Sequence, residues 1–406
     1  MFGSHLGRRA AGRSRLVGAV GALALLATAC GGSSLGGEEG GSGSGGSDGP
    51  VKIGLLVPQS GVYNALGNDM KAGFETYLEQ HDNMLGGREV KVVLADEGET
   101  PESGRAAAEK LVKKDKVDAV VGVVSSATMM GVKDLFESSK IPLVGSNASP
   151  TTLTDTTYIW RTSYVNDEPG IALGEYVAKE AGGPVYMIAA GYQAGEDEIE
   201  GFKTTFEPAG GEAVGDPVYT PFPATTNFQP FLSNVQKSDA KAVFTFYAGG
   251  AAVDFVKQYA QFGLKDKMPL YAPGFLTEGG VLQAQGDAAE GVFTSMNYSP
   301  DLDNELNTAF VADYEAKTGT KPTTYAMATY DAAKVLDMAI EKAGDEVTSE
   351  TINAAIGELG DIASPRGTWK FNDNGTPIQM WYLREVQKTA NGLENVRVAE
   401  LGTLGD

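Results

Sequence analysis

The chain has 406 residues, of which 32 are basic and 53 acidic, so that its formal net charge is −21 at pH 7. A chain this acidic is poorly suited to bind nucleic acid. It is equally unsuited to attach to anionic lipid through its surface charge. Two histidines and a single cysteine leave little material for a histidine-dependent hydrolase and none for an internal disulfide.

The first 29 residues are typical of an export signal. Four arginines and no acidic residue precede an apolar stretch from Leu16 to Ala29, which is shorter than the roughly 20 residues of a membrane span. The ending Leu26-Ala27-Thr28-Ala29 before Cys30 resembles the lipobox of bacterial lipoproteins, which implies that Cys30 becomes the acylated N-terminus. An ordinary secretory signal cut after Ala29 is the alternative.

Residues 30–50 are predicted to form a flexible tether. They consist mostly of Gly and Ser, a composition that cannot bury a core and behaves as a flexible coil. We therefore expect an extracytoplasmic protein that a lipid on Cys30 anchors to the cell membrane, with a folded body that begins at Val51.

From Val51 onward, short β-branched runs alternate with longer amphipathic segments. The first series predicts helices and strands in turn, with helices at 70–81 and 101–113 and strands at 51–57, 90–94, 118–124 and 141–144. The second series does the same, with helices at 196–206 and 251–262 and strands at 185–190, 242–246, 268–271 and 291–294. This alternation is typical of parallel βαβ units, whose ligands bind outside the carboxyl ends of the strands.

The two series predict an α/β protein with two lobes of similar build, each around a parallel sheet. A folded body of roughly 350 residues is also longer than a single core supports. Two later helices, 304–317 and 325–342, are expected to pack onto the first lobe. Residues 368–371 and 378–383 are expected to form a strand pair around an Asn-Gly turn.

Hydroxyl-bearing residues follow two neighbouring strands of the first lobe. Ser125-Ser126-Ala127-Thr128 comes after the third strand, and Ser146-Asn147-Ala148-Ser149-Pro150 comes after the fourth. Hydroxyls and the free amides of a helix N-terminus together favour a bound carboxylate. For either segment alone, simple helix capping is the alternative.

Aromatic residues mark the corresponding edge of the second lobe. Tyr192, Tyr247 and Phe275 follow strands, and Tyr325 opens a late helix. Facing the hydroxyl-bearing segments across a cleft, these rings would suit a small ligand with an apolar body. For each ring, packing on the core is the alternative.

The chain offers little for catalysis. Outside the export signal His81 is the only histidine, whereas metallohydrolases usually use two or more histidine ligands and a triad needs a histidine between nucleophile and acid. Residues 58–61 lack the Gly-x-Gly-x-x-Gly of dinucleotide-binding enzymes. Residues 301–305 lack the glycine and the spacing of a calcium loop, and are expected to cap a helix. We predict no catalytic residue, no metal and no cofactor.

Longer motifs identify a family. Residues 121–161 contain Ser125-Ser126, Ile141-Pro142-Leu143, Asn147-Ala148-Ser149-Pro150 and Tyr158-Ile159-Trp160-Arg161. This stretch resembles the leucine/isoleucine/valine-binding proteins, which are type I periplasmic solute-binding proteins. The similarity extends over residues 51–390, with further motifs at 60–61, 246–250, 263–265, 286–291 and 325–331.

The resemblance implies two Rossmann-like lobes joined by a three-segment hinge. Residues 51–165 and 297–378 would form the N-terminal lobe, and residues 166–296 and 379–406 the C-terminal lobe. The two lobes would close on a small molecule as a hinged clamp.

The resemblance also implies roles for individual residues. Ser126 would hold the ligand carboxylate through its hydroxyl and amide. Backbone and hydroxyl contacts would be added by the next strand end, at Asn147, Ala148 and Ser149. Tyr247 and Tyr325 would pack on the ligand from the far side.

The sequence departs from the branched-chain amino acid binders where they hold the ligand ammonium. In those proteins a glutamate follows a Gly-Pro at the end of a second-lobe strand, whereas here Pro273 is followed by Gly274. Ala194 and Leu66 likewise replace expected tyrosines. An unpaired ammonium is costly in a dry cleft, so an aromatic or other ammonium-free carboxylate is favoured slightly over an amino acid, unless Glu278 reaches the ligand.

These features favour a monomeric solute-binding lipoprotein that delivers a small carboxylate to the permease subunits of an ABC importer. Segments 274–278 and 301–304 look like those of relatives thought to take aromatic carboxylates. A sensor that presents the same clamp to a membrane receptor is the alternative function. An extracytoplasmic enzyme on a Rossmann-like scaffold is the third.

Overall fold

Strands and helices alternate through residues 49–405, the part of the chain that the computed structural model describes. The predicted export signal, Cys30 and nearly all of the tether lie outside these residues. The strands are β1 Val51–Val57, β2 Met84–Leu85, β3 Arg88–Asp96, β4 Ala119–Gly122, β5 Leu143–Gly145, β6 Ile159–Arg161, β7 Val185–Gly191, β8 Val218–Pro221, β9 Ala242–Phe246, β10 Leu270–Pro273, β11 Phe293–Met296, β12 Lys370–Phe371, β13 Pro377–Thr389 and β14 Gly392–Leu404. The helices are α1 Asn64–Gln80, α2 Pro101–Glu109, α3 Ser126–Ser139, α4 Glu168–Glu180, α5 Gln193–Phe206, α6 Gln229–Lys237, α7 Gly249–Gln261, α8 Gly280–Gln285, α9 Glu305–Thr318, α10 Thr324–Ala343 and α11 Ser349–Gly357. A π-helical turn, Lys110–Asp115, follows α2, and three short 3₁₀ turns lie at Gly61–Tyr63, Gly274–Thr277 and Gly286–Ala289.

The first lobe is built on a six-stranded sheet with the order β2-β3-β1-β4-β5-β6. Its strands run parallel except for the short β2, which pairs antiparallel with β3. The central strand β1 is buried along its length apart from the half-buried Lys52. A continuous apolar run of this kind is expected where helices cover both faces of a parallel sheet.

The second lobe is built on an eight-stranded sheet with the order β12-β13-β11-β10-β9-β7-β8, and β14 pairs with β13. Strands β7 to β11 are parallel, whereas β12, β13 and β14 are antiparallel additions. The predicted α/β architecture with two mostly parallel sheets is thus confirmed. The predicted strand pair around the Asn-Gly turn corresponds to β12 and β13, which pair antiparallel. Strand β14 was not predicted, because it is half-exposed and shows no continuous apolar run.

The late helices α9 and α10 pack against α1 in the first lobe, as predicted. Helices α1 and α10 approach so closely that a Cβ atom at Gly73 would lie 2.1 Å from the carbonyl oxygen of Ala326. Only glycine permits this approach. The packing fixes the start of α10, where Tyr325 lies.

The chain crosses between the lobes three times, after β6, after β11 and after α11. Hydrogen bonds join the three crossing segments. Asn297 donates from Nδ2 to the carbonyl oxygen of Ser163 and to Oε1 of Gln379, at 2.8 Å each. Arg366 donates to the carbonyl oxygen of Thr162 at 2.8 Å. Because buried polar groups need partners, these bonds hold the crossing segments in a fixed arrangement.

Within residues 49–405, none of the helices is both long and apolar enough to cross a membrane.

Candidate ligand-binding site

A cavity of about 30 Å³ lies between the lobes, outside the carboxyl ends of strands from both sheets. Its first-lobe wall consists of Tyr63, Leu66, Val124, Ser126, Asn147, Ala148 and Tyr325. Its second-lobe wall consists of Tyr192, Ala194, Glu198, Phe246, Ala248 and Phe275, and a crossing segment adds Tyr164 and Asn166. The position is usual for the ligand sites of α/β proteins.

The structure brings six of the eight sequence-predicted ligand residues to this cavity. They are Ser126, Asn147, Ala148, Tyr192, Phe275 and Tyr325. The other two, Ser149 and Tyr247, are absent from the lining.

Ser126 is the first residue of α3 and directs that helix N-terminus at the cavity. The chain reaches this position through Val123, which adopts a φ of +68°, a strained conformation for a β-branched residue. Oγ of Ser126 accepts a hydrogen bond from Nδ2 of Asn166 at 2.9 Å, so its own hydrogen remains available to donate. With the first-turn amides and the helix dipole, Ser126 can hold a carboxylate.

Glu97 binds the turn directly before α3, a role that the sequence analysis did not predict. Its carboxylate accepts the amide of Val124 at 2.7 Å and the amide of Ser125 at 2.8 Å. Burial raises the pKa of Glu97 to about 7 against the lowering effect of these donors. Ser125 makes no side-chain cap, and Glu97 holds the turn that leads into α3. Its position directly after β3 was the only signal in the sequence.

The segment after β5 uses its backbone amides within the protein. The amide of Ala148 donates to the carbonyl oxygen of Val123 at 3.0 Å, and the amide of Ser149 donates to Oδ1 of Asn166 at 3.1 Å. Both amides are therefore unavailable to a ligand, which corrects the expectation drawn from the resemblance. A buried loop must satisfy its own amides, and this one does so internally.

Asn147 and Ser149 also differ from their expected roles. The Asn147 amide donates to the carbonyl oxygen of Val124 at 3.0 Å and accepts the Tyr164 hydroxyl at 2.9 Å. It therefore positions the cavity wall through bonds to other residues. Oγ of Ser149 is buried without a hydrogen-bond partner among the described residues, yet Ser149 does not line the cavity.

Tyr247 belongs to the core of the second lobe. Its ring lies 4.7 Å from that of Phe255 and 5.0 Å from that of Phe228, and its hydroxyl oxygen lies 3.2 Å from the hydroxyl of Thr220. The preceding residue, Phe246, lines the cavity instead. Successive side chains of a strand point to opposite sides. Choosing Tyr247 instead of Phe246 therefore selects the ring that faces the core.

The remaining aromatic rings surround the cavity. Phe275 lies between Tyr325, Tyr164 and Phe246, with ring centroids at 6.2, 5.2 and 5.9 Å. The hydroxyl of Tyr325 is buried and, among residues 49–405, has no hydrogen-bond partner. The walls therefore suit a flat apolar body, and Tyr325 can donate to a polar group on it.

Tyr63 and Tyr192 contact each other across the cleft. Their hydroxyl oxygens lie 3.1 Å apart, and both rings stack near Phe222. Tyr63 lies in the first lobe and Tyr192 in the second, so this contact joins the lobes at the cavity edge.

Glu278 does not reach the cavity. Its carboxylate pairs with Nη2 of Arg384 at 2.7 Å and accepts the amide of Thr324 at 2.8 Å. Both side chains of the ion pair are buried, and separating such a pair is costly. The idea that Glu278 serves as the ammonium partner is therefore wrong.

Glu198 is the acid that lines the cavity. It is 1% exposed, its Oε2 accepts the amide of Gly170 at 3.1 Å, and its Oε1 has no partner within the described part of the chain. Burial and neighbouring carboxylates raise its pKa well above the ordinary value. The sequence offered one indication of this position. Glu198 follows Ala194 by four residues, and positions i and i+4 of a helix lie on the same face.

His81 lies away from this cavity, stacked on the ring of Tyr77 at 4.0 Å. Between residues 49 and 405 no group of three or more His, Cys, Asp or Glu side chains is placed to hold a metal ion.

Comparison with known proteins agrees with this architecture. A family model described as periplasmic binding protein matches residues 50–392. The chain is 30% identical over 349 residues to Leu/Ile/Val-binding protein homolog 6 of Brucella melitensis, covering 84% of this chain and 89% of that protein. An ABC transporter solute-binding protein from R. palustris in complex with benzoate is 33% identical, with a TM-score of 0.83 and coverage of 88% and 98%. Another from R. palustris, in complex with 4-hydroxybenzoate, is 31% identical, with a TM-score of 0.81 and coverage of 87% and 97%. The chain therefore belongs to the periplasmic binding protein family and is a type I solute-binding protein.

Proposed function

We propose that this protein is an extracytoplasmic lipoprotein that captures a small aromatic carboxylate between its lobes and delivers it to an ABC importer. The observation that carries the proposal is the cavity itself. One wall holds Ser126 at the N-terminus of α3, and the opposite wall holds the aromatic rings of Tyr192, Phe246 and Phe275. A carboxylate and a flat apolar body are complementary to these two walls.

The charge pattern of the site favours an acid without an ammonium group. Glu278, the acid nearest in sequence to the missing glutamate, is neutralised by Arg384. The related proteins solved with benzoate and 4-hydroxybenzoate are 33% and 31% identical to this chain, which adds support for an aromatic acid.

A branched-chain or other hydrophobic amino acid is the second candidate, because one acid does line the cavity. Glu198 lies in the second-lobe wall, and an ionised Glu198 could pair with an ammonium. That pairing would require a buried carboxyl with a raised pKa to lose its proton when the ligand binds.

Capture would proceed by closure of the two lobes around the ligand. Closing excludes water, which strengthens the hydrogen bonds to the carboxylate, and the contact between Tyr63 and Tyr192 would help to hold the closed state. The closed form would dock on the permease subunits, while a lipid on Cys30 keeps the protein at the membrane. A sensor would use the same closure to signal to a membrane receptor.

Calorimetric titration with phenylpropionate and phenylalanine tests the ligand class, since the two differ only by the amino group. We expect phenylpropionate to bind more tightly by at least tenfold, because an unpaired ammonium in the cavity costs several kcal/mol. Leucine and isoleucine serve as further comparisons. Tighter binding of phenylalanine or leucine would reject the aromatic-acid proposal and favour the amino acid.

A further inference from the structure

Glu198 is a buried polar side chain whose bonding is incomplete. It lies on α5, in the second-lobe wall of the cavity, opposite the first-lobe wall that contains Ser126. Oε2 accepts the backbone amide of Gly170 at 3.1 Å, while Oε1 has no protein partner among residues 49–405. A buried oxygen without a partner is costly, so a bound molecule is the natural partner for Oε1.

The groups around Glu198 are acidic or neutral. Asp167 precedes α4, Glu168 begins it, and Asp197 is the neighbour on α5, and all three raise the pKa of Glu198 in addition to its burial. The phenols of Tyr164 and Tyr192 lie on the cavity side. No lysine or arginine is present among the residues that line the cavity.

Asp197 differs from Glu198 in the number of its hydrogen-bond donors. It accepts hydrogen bonds from the amide and hydroxyl of Thr151, from Asn166 and from Gln193, at 2.7 to 3.2 Å. These four donors satisfy the oxygens of the Asp197 side chain. An ionised Glu198 beside it would have one amide donor and no cation, so Glu198 retains its proton.

The hydrogen bond from Gly170 decides which oxygen carries that proton. Because Oε2 accepts the amide, Oε2 is the carbonyl oxygen, and Oε1 is the hydroxyl that can donate. The cavity therefore presents Ser126 and a helix N-terminus in one wall and a neutral donor in the other.

We propose that Glu198 is a specificity-determining residue whose Oε1 hydroxyl donates to an uncharged oxygen, such as a phenolic hydroxyl, at the end of the ligand remote from its carboxylate. This inference rests on the proposed function and specifies its substrate class as ring-hydroxylated aromatic acids. An acid without the hydroxyl leaves the Oε1 donor unpaired. A ligand ammonium has no lone pair to accept that donor.

Titration with 4-hydroxybenzoate and benzoate, compared in the parent and in two variants, tests this role. We expect the parent to prefer 4-hydroxybenzoate by roughly 5- to 100-fold, the range set by leaving a buried donor unpaired. Glu198→Leu removes the donor and should bring the ratio to about one or below. Glu198→Gln keeps both a carbonyl oxygen and a donor, and should retain most of the preference.

Glu200→Gln is the matched control, because Glu200 lies on the exposed side of the same helix. It should leave the ratio at the parent value, and thermal unfolding of each variant checks that the fold is intact. Calorimetry of 4-hydroxybenzoate binding in buffers of different ionisation enthalpy should show no proton release, because Glu198 starts and ends neutral.

Three results would overturn the inference. An equal ratio in the parent and in Glu198→Leu would mean that Glu198 does not determine the preference. Loss of 4-hydroxybenzoate binding in Glu198→Gln, together with proton release in the parent, would mean that Glu198 acts as an anion. Binding of neither acid, with tight binding of an amino acid, would reject the proposed function and this inference with it.

Discussion

At the scale of single residues, the site depends on which polar atoms have protein partners and which do not. Ser126, Glu198 and Tyr325 line the cavity and keep hydrogen-bonding capacity, whereas the amides of Ala148 and Ser149 are already used. Polar residues of similar type therefore have two roles. Those without a protein hydrogen-bond partner can bind a ligand, and those already bonded to other residues position the cavity wall.

Ser126→Ala tests the carboxylate position. We expect it to weaken binding of the preferred acid by roughly 1–3 kcal/mol, the range for a hydrogen bond to a charged group, as measured by calorimetry. Ser149→Ala is the paired variant, and it should bind like the parent because Ser149 lies outside the lining. Equal losses in both variants would place the carboxylate nearer to the segment after β5.

At the scale of elements, the packing of α1 against α10 connects the core of the first lobe to the cavity. Gly73 allows the two helices to approach, and α10 carries Tyr325 into the cavity wall. The sequence predicted both helices but not their closeness, since a glycine in a helix gives no indication of its partner.

Gly73→Ala tests this contact. A Cβ 2.1 Å from the Ala326 carbonyl oxygen must force the helices apart, and we expect a loss of roughly 1–3 kcal/mol in the free energy of unfolding. Gly131→Ala on α3 is the matched control, since its Cβ would lie 3.6 Å from the nearest atom. Alanine should there raise stability by up to about 1 kcal/mol. Parent-like stability of Gly73→Ala would show that the helices adjust without cost.

At the scale of the whole molecule, both lobes bury carboxyl groups whose pKa values are raised. Burial raises the pKa of Asp69 to about 7, that of Glu97 to about 7 and that of Glu168 to about 8. At any pH between the ordinary pKa of such a carboxyl and its raised pKa in the folded protein, the folded state binds more protons than the unfolded state. The stability that these groups contribute is therefore present at low pH and is lost as pH rises.

We expect the free energy of unfolding in urea to fall by several kcal/mol between pH 5 and pH 8.5, because each of the three carboxyls loses about 1.4 kcal/mol for every pH unit between pH 5 and its folded-state pKa. Asp69→Asn should make this pH dependence shallower, because the amide keeps the shape of the neutral acid without titrating. Stability that rises over the same interval would contradict the buried, protonated state of these groups.

The sequence by itself determined the architecture, because hydrophobic periodicity is a local property. The alternation of apolar runs with amphipathic segments, from β1 to β11, predicted two parallel-sheet lobes. The residues that follow strands predicted where a ligand would lie, since strand ends meet at one edge of a sheet.

The tertiary structure decided which individual side chains serve the site. Glu278 is neutralised by Arg384, 106 positions away in the chain, and no local pattern contains such a pairing. Phe246 rather than Tyr247 faces the cavity because strand geometry sends adjacent side chains to opposite sides. Glu198 lines the cavity only because α5 turns that face inward, where burial and neighbouring carboxylates raise its pKa. These properties arise from contacts between distant segments, which exist only once the chain has folded.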